Sequence, residues 1–153
     1  MSPDRRDLVG QLKNRALIYM EIYDVLSREL GAARAEALLT EAIFKRGLSA
    51  GQSLKQHAPA DLAGLKDAFL ANVPGGKDVF QPEVLRCDAG RLEMQLHGCP
   101  LKDAWQEAGL APEKVATLCR IAGAVDKGLF EGARQVTGEA IFVDGGMHIT
   151  PPR

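Results

Sequence analysis

The four residues His97-Gly98-Cys99-Pro100 are the part of this chain best equipped for chemistry. Proline is favoured at the first helical position, where its missing N–H loses nothing, so Pro100 marks Cys99 as a helix N-cap. Unpaired backbone N–H groups and the positive end of the helix dipole favour the thiolate there. The preceding run Leu92 to His97 alternates apolar and polar residues as a half-buried strand does, with His97 on the face opposite Leu92, Met94 and Leu96. Cys99 leaves the strand on roughly the same side as His97, the arrangement of a nucleophile and its base. The plain alternative is a small buried cysteine beside a solvated histidine, since a local Cys/His spacing does not transfer between families.

A second set sits further along. Cys119 and Asp126 are seven residues apart, two helical turns, and share a helix face beside Leu118, Ala122 and Val125. A carboxylate beside an apolar stripe needs a partner. For Asp126 that partner is either a cationic or amidine-like nitrogen of a substrate or an ion pair with Lys127 or Arg120. Cys119 reads as a core thiol or a pocket wall. Trp105 reads as a core anchor or a substrate contact, and Glu93 as an exposed face residue or a support for His97. Arg120, Arg86 and Arg91 are the cations available for a substrate carboxylate. Cys87, Cys99, Cys119, His57, His97 and His148 lack the close Cys-x-x-Cys pairs of a structural zinc site. No cofactor is expected, with a zinc-bound form as an alternative.

The elements that must position these residues follow from periodicity. Leu12, Ala16, Tyr19, Tyr23, Leu26 and Leu30 predict an amphipathic helix stopped by Gly31. A second helix is expected over about 34–45, with Gly47 beyond its end, and a third after Pro59 through Leu62, Leu65 and Phe69. A hairpin is expected over 78–99 through Asp88-Ala89-Gly90, with Pro82 confining its first strand to an edge or a bulge. Pro100 and Pro112 then open two helices within 100–130, the longer with a stripe of Val115, Leu118, Ala122, Val125 and Leu129. A last strand falls within 136–144 and ends at the turn Asp144-Gly145-Gly146. The expected class is α+β in one domain over 1–153: N-terminal helices over 4–72 packed on a small antiparallel sheet, with two helices inserted before the last strand.

Composition narrows the partners. Nineteen basic against 20 acidic residues give a net charge of −1, no basis for holding a nucleic acid or an anionic membrane. No apolar run approaches the roughly 18 residues of a membrane span. The charged N-terminus and three cysteines, an odd number, suit a cytoplasmic protein with reduced thiols. The expected partner is a small molecule, with a homodimer through the first helix as a further option.

As a set, Tyr19-x-x-Ile22-Tyr23-x-x-Leu26, Cys99-Pro100-x-x-x-x-Trp105-x-x-x-Gly109-Leu110, Leu118-Cys119 and Val125-Asp126 resemble the L-2-amino-thiazoline-4-carboxylic acid hydrolase family from about Leu12 to Phe142. The resemblance implies hydrolysis of a cyclic amidine-like ring at a C–N or C–S bond without a cofactor. Cys99, His97 and Asp126 would be catalytic, and Cys119, Arg120 and Trp105 would bind substrate. Near the last strand the family pattern has a further cysteine where this chain carries Ala140, Ile141 and Phe142. The alternative function is a non-catalytic small-ligand-binding or sensory domain.

Overall fold

The computed structural model describes residues 2–57, 60–133 and, by backbone, 139–144. Pro59, Gly138, the turn glycines Gly145 and Gly146, and His148 lie outside these residues, as do the side chains of Ala140, Ile141 and Phe142. The chain forms two compact units, one from residues 1–43 with 99–124, the other from 44–98 with 125–153.

The first unit is helical. Helix α1 (Pro3–Leu30) begins at Ser2, whose side chain accepts the Arg5 N–H, and stops at Gly31 with φ 87°, the conformation that favours glycine. The first part of α2 (Ala32–Gly51), then α4 (Pro100–Glu107) and the first part of α5 (Pro112–Gly132) complete it. Leu12, Ala16, Leu39, Ile43, Leu101 and Trp105 are among its buried residues. Ion pairs tie the helices at the rim: Lys13 to Glu107 at 2.6 Å, Lys114 to Asp24 at 2.6 Å and Arg120 to Glu36 at 3.1 Å.

The second unit holds the sheet. Strand β1 (Pro82–Cys87) pairs antiparallel with β2 (Arg91–Leu96), joined through a turn in which Asp88 accepts the Gly90 and Arg91 N–H groups. The Arg86 guanidinium, and then the Gly90 N–H, hold the Asp88 carboxyl below its usual range. As expected of a strand that opens on proline, β1 is an edge strand, and its register shifts between Val84 and Arg86. Strand β3 (Glu139–Asp144) joins the other side of β2 in parallel. The α+β class with two helices before the last strand is therefore observed, and its hairpin is antiparallel. The third strand makes the sheet mixed, because a crossover connection brings the chain back in the direction of β2. Leu92 and Met94 point from β2 into a core with Leu54, Leu62, Leu65 and Phe69, the last three from α3 (Leu62–Asn72) and Leu54 from a 3-10 turn over Gln52–His57.

Two expectations about helices are corrected. Gly47 does not lie beyond α2; the helix runs through it to Gly51. A Cβ on Gly47 would run into the Val125 carbonyl oxygen, and one on Gly51 into that of Leu129. Reciprocally, Gly128 faces the Phe44 carbonyl and Gly132 that of Leu48. These glycines act by letting two helix backbones touch, a demand local propensity does not reveal. The buried stripe of α5 also turns: Val115, Leu118, Ile121, Ala124 and Gly128 are buried, while Ala122, Val125 and Leu129 are half-buried. The side of α5 that meets α2 most closely is the glycine side, so the apolar face centres there.

Helix α3 is capped by Asp61, whose Oδ1 accepts the Gly64 N–H at 2.8 Å while Oδ2 meets His57 Nδ1 at 2.9 Å. The His57 contact, and then the Gly64 N–H, hold the Asp61 carboxyl below its ordinary value of 3.8.

Gly47→Ala and Gly128→Ala are each expected to destabilise the protein by about 1–3 kcal/mol in urea unfolding. Gly123→Ala on the same α5, where an added methyl meets nothing within 4 Å, is expected to stabilise it by about 0.5–1 kcal/mol. Equal losses at Gly123 and Gly128 would contradict the backbone contact. Because its folded pKa is depressed, Asp61 contributes stability above about 3.8 that is lost as pH falls through the lower folded value. Asp61→Ala should accordingly lower the urea midpoint at neutral pH, and the gap from wild type should close at the acid end of a pH series.

Candidate functional site

Cys99 is the N-cap of α4, in extended backbone at φ −151° and ψ 99°, with Pro100 at the first helical position. Its carbonyl accepts the Asp103 N–H at 3.1 Å, so the residue is locked into the helix start by its backbone. Its sulfur makes no capping hydrogen bond, and the side chain is half-buried. The helix-start N–H groups therefore do not cap the sulfur directly. None of the three cysteines is joined in a disulfide; Cys87 is exposed and Cys99 and Cys119 are half-buried.

The turn leading to Cys99 is fixed by the segment before β1. The His97 N–H donates to the Gln81 carbonyl at 3.2 Å and the Gly98 N–H to that of Phe80 at 3.0 Å. A Cβ on Gly98 would lie 2.6 Å from the Val79 carbonyl oxygen, so no larger residue fits without displacing backbone. Gln81 has φ 50°, the only left-handed non-glycine among the described residues. An L side chain there carries strain on the order of 1–2 kcal/mol, and the strained residue is the one whose carbonyl receives His97.

His97 is exposed, as its strand face predicts, and its Nε2 lies 2.6 Å from Glu83 Oε2. A carboxylate only accepts, so Nε2 donates to Glu83 while the imidazole is neutral, leaving Nδ1 with the lone pair that can take a proton. Of the two readings of Glu93, support for His97 is not what is observed. Glu93 pairs with Arg91 at 3.3 Å, because it is paired by register with Arg86 near the turn end of the hairpin, while Glu83 sits opposite Gln95. Glu83 and His97 are then same-face diagonal neighbours. Regular pairing counted back from the turn would set Glu83 opposite Leu96 on the other face; the register shift between Val84 and Arg86 is what brings it beside His97.

The remaining candidates separate. Cys99, Trp105, Cys119 and Arg120 belong to the first unit, His97 and Asp126 to the second. Trp105 is fully enclosed, and its indole N–H donates to the Ala16 carbonyl at 2.8 Å. That is the core-anchor role; the ring and its one donor are spent on packing α4 against α1. Arg120 is directed at Glu36, with Nε at 3.1 Å, and also donates to Thr117 Oγ1 at 3.0 Å. Arg86 and Arg91 likewise have carboxylate partners in Asp88 and Glu93. Cys119 and Asp126 are both half-buried on α5, two turns apart. Among the described residues no three His, Cys, Asp or Glu side chains cluster so as to hold a metal ion, and no helix is long and apolar enough to cross a membrane.

The sequence profile of the L-2-amino-thiazoline-4-carboxylic acid hydrolase family matches residues 11–145, taking in every helix from α2 onward and all three strands. The chain belongs to that family. Its name is that of a hydrolase, and a hydrolase-like function is what membership supports. No curated protein and no solved structure matches the chain significantly. Within the family span, the His97-Gly98-Cys99-Pro100 turn is held by two backbone hydrogen bonds and by the close approach of Gly98 to Val79. Gly98→Ala is expected to destabilise the protein by about 1–3 kcal/mol through the clash with the Val79 carbonyl. It should also change the rate at which Cys99 is alkylated in a variant lacking Cys87 and Cys119. An unchanged urea midpoint together with an unchanged alkylation rate would contradict the constraint.

Proposed function

We propose that the chain is a cofactor-independent, cysteine-dependent hydrolase that opens a small cyclic amidine of the aminothiazoline carboxylate type. The observation that carries this reading is Cys99 at the N-cap of α4, inside the span matched by a hydrolase family and with its sulfur not engaged in the cap. The Cys99 thiolate adds to the ring carbon that bears sulfur and two nitrogens. The ring C–S bond then breaks, and the departing sulfur takes a proton from the His97 imidazolium. The substrate is left joined to Cys99 as an isothiourea. Water attacks the same carbon and gives its proton to His97, the bond to the Cys99 sulfur breaks, and the thiolate is restored. One water is consumed and the product is an N-carbamoyl cysteine.

Glu83 orients the imidazole through its 2.6 Å contact at Nε2, which leaves Nδ1 to exchange the proton. Backbone N–H groups at the start of α4 stabilise charge developing at the ring carbon's substituents. Arg120, in the same unit as Cys99 and with Glu36 as its resting partner, is the cation proposed for the substrate carboxylate.

The test is thiol release from L-2-amino-thiazoline-4-carboxylate by the purified protein. Wild type and Cys87→Ala should release thiol at equal rates, His97→Ala should be slower by about 10²–10⁴-fold, and Cys99→Ala should be inactive. Undiminished turnover by Cys99→Ala would overturn the nucleophile. Saturable binding of the ring by folded wild type with no thiol released would instead favour a ligand-binding domain.

A further inference from the structure

Five of the seven large apolar side chains exposed among the described residues belong to one helix, α1: Leu17, Ile18, Ile22, Val25 and Leu30. Three of them, Ile18 at 49 %, Ile22 at 40 % and Val25 at 46 % exposure, recur at intervals of four and three residues and so form one stripe. This stripe is not the face α1 packs into its own unit. Leu12 and Ala16 are buried and Tyr19 and Tyr23 half-buried, roughly a third of a turn round the helix. A single exposed aliphatic residue needs no explanation, but a stripe at helical spacing along a 28-residue helix has the form of a helix-pairing surface.

The charges at its ends say what would cover it. Continuing the same spacing, Arg15 precedes Ile18 and Glu29 follows Val25, both exposed and each seven residues from Ile22. We propose that α1 pairs with α1 of a second copy of this chain, antiparallel, about a two-fold axis through Ile22. Ile22 then meets its counterpart. Ile18 of each copy lies beside Val25 of the other, and about 10 Å out on either side Arg15 of one copy faces Glu29 of the other. A parallel pair would set Arg15 against Arg15 and Glu29 against Glu29, so the charge pattern selects the antiparallel arrangement. Glu29 already touches Arg28 at 2.9 Å, but both side chains are more than half exposed, and such a contact exchanges readily. Three aliphatic residues flanked by one charge at each end are few beside the roughly 20–30 residues a side of a standard interface, so the dimer is weak and concentration-dependent.

Sedimentation equilibrium of the full chain over a wide concentration range tests this. Wild type is expected to show a reversible monomer–dimer equilibrium, with Ile22→Lys monomeric throughout. Arg15→Glu and Glu29→Arg should each weaken association by about tenfold or more, because each places like charges together at both ends. An equimolar mixture of the two should recover dimer, since every end contact in the mixed pair is again between opposite charges. All of these positions are exposed, and an unchanged circular dichroism spectrum confirms that each variant folds. A wild type that stays monomeric, single variants that associate as wild type does, or a mixture that fails to recover dimer would overturn the proposal.

Discussion

The approach of α2 to α5 through four glycines is the constraint on which the sheet-bearing unit rests. Gly47 and Gly51 on one helix, Gly128 and Gly132 on the other, present backbone to backbone, with carbonyl oxygens of each helix where the other would carry a methyl group. Such contact is available only to glycine, and its conformational penalty within a helix, about 1 kcal/mol per residue, is offset by what the approach lets the helix ends do. With α5 seated this closely, Phe130 stacks against Phe69 of α3 at 5.4 Å between ring centres, and Leu129 and Ala133 reach the core that Leu92 and Met94 enter from β2.

The hairpin built on that core presents His97 on its other side. Because Leu92 and Met94 are fixed inward, strand alternation turns His97 outward, and the antiparallel register with β1 delivers Glu83 to it. The chain then turns through Gly98 under two backbone hydrogen bonds, one of them to strained Gln81, and enters α4 at Cys99. The imidazole and the thiol are thus each placed by an element end whose backbone is committed.

Much of this was legible in the residues themselves. Pro100 and Pro112 marked two helix starts, Asp88-Ala89-Gly90 the hairpin turn, and Pro82 an edge strand with an irregular register, because each acts through local sterics or a missing donor. The family pattern through Cys99-Pro100, Trp105 and Leu118-Cys119 was legible too, and the match over residues 11–145 bears it out. Gly47 read as a stop because an isolated helix treats glycine as a breaker, and only a neighbouring helix at backbone distance reverses that meaning. Glu83 went unseen because His97 is fourteen residues away in sequence, and only strand register makes them neighbours.

The sequence alone determined the order and kind of the elements, the Cys99 cap and the outward face of His97, since capping, periodicity and proline geometry act within a few residues. Tertiary structure alone decided the rest. It ran α2 through its glycines, gave Arg120 to Glu36, enclosed Trp105 with its N–H on Ala16, and set β3 parallel to β2. Each of those outcomes depends on which distant backbone or charge arrives within contact distance, and a spacing along the chain does not specify that.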